Sequence, residues 1–176
     1  MRQDREKGGD DPPATAGAGA AASQVLSLVI FRLGAQWLAL PTQVVREVAE
    51  VRTIRSIPRW DTGVLLGLVN LRGEFELCVS LEEILGRVGA HGCARDRDHQ
   101  RTARLVVVEK GEARWVFPAD EVSGVFHFAP GDFHASPVAP AAGADPAFTG
   151  MVRWLEKQVS CLDETVLFDT LKRHIA

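Results

Sequence analysis

The sequence predicts a mainly β protein: two small five-stranded barrels packed on a shared core, with a few short helices and one helix at the C-terminus. Three observations carry that prediction. Short runs rich in Val, Leu and Phe recur along the chain, the same features appear in the same order in both halves, and helical spacing is clear only at the end.

The runs cover residues 26–33, 37–40, 48–51, 75–79, 105–109, 114–117 and 125–128. Each has the length of a strand and is bounded by Gly, Pro or charged residues. Leu167, Leu171 and Ile175 recur every four residues, and Asp163 is placed to cap the helix they define. A shorter helix is predicted over 81–85, ended by Gly86.

Gly34, Pro41, Val45 and Val48 match Gly111, Pro118, Val122 and Val125 at a constant offset of 77 positions. Further on, Gly67-Leu68-Val69 resembles Gly150-Met151-Val152, and Ser80-Leu81-Glu82-Glu83 resembles Cys161-Leu162-Asp163-Glu164. Two copies of one β unit explain this shared order more economically than chance in a Val/Leu/Gly-rich chain. Five short strands per copy favour a closed barrel, because closure removes exposed edges. One such barrel buries little apolar surface, so the two copies are expected to share a core.

The bulk numbers narrow the function. With 176 residues the chain fits one domain or two small lobes, and a net charge of −3 excludes a surface that is basic throughout. No apolar run approaches the ~20 residues needed to cross a bilayer. The N-terminus is polar, then Ala/Gly-rich, without the apolar stretch of a secretory signal, which points to the cytoplasm. Cys78, Cys93 and Cys161 are odd in number and widely spaced, unlike a disulfide framework. Residues 1–23 read as a disordered tail ahead of a domain over 24–176, and 87–102 and 130–146 read as loops.

Catalytic and metal-binding patterns are weak. His91, Cys93 and His99 lack paired Cys-x-x-Cys spacing and sit in a polar loop. His127 reads as an ordinary strand histidine, and Ser80 and Ser160 lack a G-x-S-x-G turn. Cys78 and Cys161 lie in apolar runs, where a packed, inert thiol is the default. Glu82-Glu83 and Asp163-Glu164 open helices, where negative charge is favoured without any acid/base role. No phosphate-cradling glycine loop is present. Arg95, Arg97, Arg101 and Arg104 are interleaved with Asp96 and Asp98 and have no aromatic neighbours, which argues against nucleic-acid binding. The residues therefore offer no strong catalytic, cofactor or metal site, and a Cys/His centre around Cys93 is the enzyme alternative.

The segment Asn70-Leu71-Arg72-Gly73 holds the only asparagine of the chain. Asn tolerates left-handed backbone and Gly is free of its cost, so 70–73 reads as a tight turn between strands at 66–69 and 75–79. Such a turn presents Arg72 outward beside Leu71. That suits a partner's carboxylate and nearby apolar surface, and it equally suits an ordinary solvent-facing arginine.

Residues 67–81, GLVNLRGEFELCVSL, resemble the most characteristic stretch of the CheW family of chemotaxis coupling proteins. The likeness extends over roughly 26–175. It includes Val45-Arg46-Glu47-Val48, the second hairpin region from Leu105, and Phe148-Thr149-Gly150-Met151. The resemblance implies two five-stranded SH3-like barrels around a common core. It implies a non-catalytic adaptor, recruited to membrane receptor arrays, that couples the cytoplasmic tip of a methyl-accepting chemoreceptor to the regulatory domain of a CheA-type histidine kinase. Carried over position by position, it gives binding roles to Val45, Glu47 and Arg72, with Asn70, Leu71 and Gly73 shaping the turn. Val45 equally fits a core position, and Glu47 a solvated charge. The family strand often carries Pro, and Asp before Leu, where this chain has Leu77 and Ser80, and Gly124 stands where the first copy has Glu47. These departures point to a specialised partner set, such as an accessory adaptor in a surface-sensing array of the Wsp type. The alternatives are a nucleic-acid-binding small barrel and the regulatory module of a signalling kinase.

Overall fold

The computed structural model describes residues 25–58, 63–86, 102–135 and 148–175. The expected tail at 1–23, most of the loops expected at 87–102 and 130–146, and the His91, Cys93 and His99 group lie outside these residues. The first copy contributes β1 (Leu26–Leu33), β2 (Gln36–Pro41), β3 (Val45–Glu50), β4 (Ile54–Arg55), β5 (Leu65–Leu71), β6 (Glu74–Val79) and α1 (Leu81–Ile84). The second contributes β7 (Arg104–Lys110), β8 (Ala113–Ala119), β9 (Glu121–Phe128), β10 (Phe133–Ala135), β11 (Phe148–Trp154), β12 (Lys157–Leu162) and α2 (Glu164–Ile175). The expected helix starts are in place. Ser80 Oγ accepts the Glu83 N–H at 3.3 Å, and Asp163 Oδ1 accepts the Thr165 and Val166 N–H groups at 2.8 and 3.0 Å.

The strands form two six-stranded sheets, and each sheet draws on both copies. Lobe 1 has the order β3-β7-β8-β6-β5-β4, and lobe 2 the order β10-β11-β12-β2-β1-β9. Each copy thus hands its first hairpin to the other copy's sheet. This corrects the expectation of one closed five-stranded barrel per copy. The count rises because β4 and β10 are too short to leave an alternation pattern, and β10 falls in a stretch that reads as a Gly/Pro loop. Among the described residues no ladder joins the edge strands of either sheet. The sheets still curl strongly. The edges of a flat six-stranded sheet lie about 24 Å apart, yet three residues (51–53) connect the edge strands β3 and β4, a reach of at most ~14 Å.

The hairpin exchange follows from where the apolar residues fall. β1 and β7 are almost continuously apolar, so each must be covered on both faces. Leu28 and Ile30 fill the interior of lobe 2, whereas Phe31 and Leu33 join the central core. Likewise Leu105 and Val107 fill lobe 1, whereas Val106 and Val108 face the centre. The two exchanged hairpins meet there, with the Phe31 and Phe117 rings 5.3 Å apart, and Leu81, Leu167, Phe168 and Leu171 of the helices close around them. A core shared between the lobes, as expected, is present.

The glycine common to both copies permits a backbone crossing. A Cβ on Gly67 would lie 2.1 Å from the Arg55 carbonyl oxygen of β4, and Gly67 has φ +138°. At Gly150 a Cβ would lie 2.5 Å from the His134 carbonyl oxygen of β10. The short fourth strand of each unit crosses a bulged glycine in the fifth. Gly67→Ala should cost about 2–4 kcal/mol, combining left-handed strain with overpacking against backbone. Gly131→Ala, in open space at ordinary φ, should be nearly neutral. Denaturant midpoints of the two variants check this, and equal midpoints would refute the crossing.

Candidate functional site

The β5–β6 hairpin turns through two residues, Arg72 and Gly73, with Leu71 paired to Glu74. Their φ angles are +54° and +94°, the double positive φ of a type I′ turn. Asn70 holds the turn differently from the sequence expectation. It is a strand residue paired with Phe75, and its Oδ1 accepts the Gly73 N–H at 2.9 Å. The left-handed residue that an Asn was expected to supply is Arg72 itself. Leu71 points the opposite way from Asn70 and is buried in lobe 1, so it anchors the turn from below.

The Arg72 side chain is 84% exposed, and its Nη2 lies 3.0 Å from Glu47 Oε2. Glu47 reaches it because β3 has a bulge: Val45 pairs with Val108 and Glu47 with the adjacent Val107, leaving Arg46 as the extra residue. The bulge separates two side chains that would otherwise share a face. Val45 packs against the central core, and Glu47 lines the mouth of lobe 1. Of the six residues expected to bind partners, Arg72, Glu47, Asn70, Leu71 and Gly73 therefore gather at one hairpin tip, and Val45 does not.

A second set of charges, not singled out from the sequence, completes this mouth. Arg114 of β8 donates to Glu76, to Glu74 at 3.1 Å and to Glu109 at 3.1 Å, and Arg46 reaches Glu109 at 3.3 Å. Hydrogen bonds to Glu76 and then Glu74 push the Arg114 guanidinium further above its ordinary value. The only sequence signal was the Glu74-x-Glu76 alternation, which places both carboxylates on one strand face. Their cation comes from a strand of the other copy. A cleft of about 250 Å³ lies between Arg72 and Arg114, floored by Leu71 and Val107. A second, of about 210 Å³, lies on the other side of Arg72 against Val48 and Glu50. Arg72 is thus a ridge between two shallow clefts. Their lining offers paired charges and aliphatic floor, with no Ser, Cys or His. Such a surface can exchange its ion pairs for those of a partner.

Lobe 2 repeats the geometry with different chemistry. The offset of 83 that relates Gly67 to Gly150 brings Arg72 onto Leu155, which also has positive φ, +53°, and is 71% exposed. The offset of 77 brings Arg114 onto Trp37. Where lobe 1 has the Arg114–Glu74 pair, lobe 2 has Lys157 stacked 3.9 Å from the Trp37 ring centre, with Trp154 5.3 Å from Trp37 and 5.0 Å from Phe126. Gly124, at the place of Glu47, supplies no carboxylate.

The two described thiols line neither cleft: Cys78 is buried beneath the first in the cluster that holds Leu71 and Val107, and Cys161 is buried in lobe 2. Burial pushes Cys78 up to about 12 and Cys161 up to about 11. Among the described residues no three metal-binding side chains cluster, and no helix is long and apolar enough to cross a membrane.

Two outcomes follow. A left-handed arginine costs about 1–2 kcal/mol, whereas an exposed ion pair contributes under about 1 kcal/mol. Arg72→Gly should therefore leave the denaturant midpoint unchanged or raise it, and a lowered midpoint would refute the turn assignment. In a Cys93→Ser background, Cys78 and Cys161 should resist thiol reagents in the native state. Both thiols are held protonated by folding, so their contribution is complete below pH 9 and stability should decline as pH rises from about 9 towards 12. Urea melts across that range check the sign.

Among curated proteins none matches the chain. One solved structure similar to it is the scaffolding protein TtCheW from Thermoanaerobacter tengcongensis. The likeness has a TM-score of 0.62 at 24% identity and covers 78% of this chain and 88% of that one, which establishes the fold. The CheW-like domain family matches residues 27–172, a span that takes in the Arg72 hairpin, both sheets and most of α2. The chain belongs to the CheW-like domain family.

Proposed function

We propose that residues 24–176 form a non-catalytic adaptor that couples the cytoplasmic tip of a methyl-accepting chemoreceptor to the regulatory domain of a CheA-type histidine kinase. The observation that carries this reading is Arg72: a guanidinium projected on a rigid turn, backed by Glu47 and flanked by two clefts. A partner carboxylate replaces Glu47 in the ion pair, and partner side chains enter the clefts over Leu71 and Val107. Asn70 and Gly73 fix the turn that makes the contact reproducible, and Val45 supports the strand that carries Glu47. Family membership supports the adaptor role, and in that role the protein is recruited from the cytoplasm to membrane receptor arrays. The acidic residues Glu74 and Glu76, tied down by Arg114, together with Leu77 and Ser80, favour a specialised array of the surface-sensing Wsp type.

The test is titration of the purified regulatory domain of a CheA-type kinase, and of a receptor-tip fragment, from the same organism. Arg72→Glu should weaken at least one complex by about ten- to a hundredfold, the equivalent of ~1–3 kcal/mol at an interface arginine. Its thermal midpoint should stay at the wild-type value. Failure of the wild-type protein to bind either partner, or equal binding by the variant, would reject the assignment.

A further inference from the structure

The β5–β6 hairpin has a second face that the charged cleft does not use. Val69, Leu71 and Cys78 point into lobe 1. Alternation then puts Leu68, Asn70, Phe75 and Leu77 on the outer face, where Leu68 pairs with Leu77 and Asn70 with Phe75. Arg55 of β4 pairs with Leu68 and lands on the same face. Near α1 this face is covered, with Val79 in the central core and Leu77 packed against it. Towards the turn the cover ends, and Phe75 is left 59% exposed.

The charges around Phe75 are unusual for this protein. Among the described residues Arg52 and Arg55 are exposed and have no hydrogen-bond or ion-pair partner. Every other described arginine has one: Arg32, Arg46, Arg72, Arg114 and Arg153 bind carboxylates, Arg104 a carbonyl and Arg173 a hydroxyl. A cleft of about 230 Å³ is lined by Arg52, Thr53, Arg55, Leu68, Asn70 and Phe75, without a carboxylate among them. An aromatic ring on an apolar floor, edged by unpaired arginines, has the composition of an interface hot spot. The uncompensated positive charge sets the sign of the occupant. Two cations and one ring make a short site, unlike the extended basic track and serial stacking that a nucleic-acid strand requires.

We propose that this outer face binds an acidic peptide segment of a partner protein. Carboxylates of the segment take Arg52 and Arg55 in fork-type contacts, and one of its apolar side chains covers Phe75 and Leu68. The site shares Arg52 with the smaller cleft beside Arg72, but Phe75, Leu68 and Arg55 belong to the outer face alone and Arg72 makes no part of it, so the chain would grip through both faces of one hairpin.

A fluorescein-labelled synthetic amphipathic helix of Glu and Leu is a direct probe, read by anisotropy on the full chain. Binding should weaken as salt rises. It should fall about tenfold or more in Phe75→Ser and in the Arg52→Glu/Arg55→Glu double variant. Arg72→Gly should bind as wild type, which separates this site from the Arg72 reading. Thermal melts confirm that the exposed-face variants fold. Absent binding, binding indifferent to the outer-face variants, or loss in Arg72→Gly would overturn the proposal. So would Phe75-dependent capture of oligothymidylate or of phosphatidylserine vesicles in place of the peptide.

Discussion

The first strand of each copy has no solvent side. β1 places Leu28 and Ile30 in one lobe and Phe31 and Leu33 in the centre, and β7 does the same with Leu105 and Val107 against Val106 and Val108. A strand that is apolar on both faces needs a layer on each side. Here each lies between a lobe interior and the central core, where the two exchanged hairpins meet. The other main features follow from that requirement. The sheets have six strands, their edges fall at β3, β4, β9 and β10, and the β5–β6 and β11–β12 turns are left pointing outward.

The two outward turns show how one backbone carries different surface chemistry. Both keep a non-glycine residue at positive φ, Arg72 in one lobe and Leu155 in the other. Such strain persists only where the surrounding structure over-determines it, and it concentrates at functional positions. Behind Arg72 stand four carboxylates and two further guanidiniums, and behind Leu155 stand two tryptophans under a lysine. Each set is satisfied within its own lobe, so neither turn needs a partner in order to fold. A charged tip and an aliphatic tip complement different surfaces.

Much of this was legible in the sequence because it is local. The Gly-rich repeat, the short helix at 81–85, the cap at Asp163, and the exposure of Arg72 all depend on residues a few positions apart. Strand pairing between copies was not legible, since the apolar runs at 26–33 and 105–109 are equally compatible with closing a barrel inside one copy. β10 was hidden because Phe133–Ala135 is three residues long and follows Pro130-Gly131. Asn70 was placed in the right turn with the wrong duty, because a residue that tolerates left-handed backbone is also a residue whose side chain can cap a neighbour's N–H. Arg114 escaped notice altogether: 38 positions separate it from Glu76, and only the lateral contact of β6 with β8 brings them together.

The traded hairpins give the chain the topology of a swapped pair. A single unit, six strands and a helix, would have its most apolar strand bare on one side. Two identical units cure that defect by lending each other the same segment, which is how intertwined homodimers form. The present molecule has the topology of such a pair within one polypeptide. The halves of one chain need not be identical, and here they differ at the tips, where one displays a cation and the other a leucine.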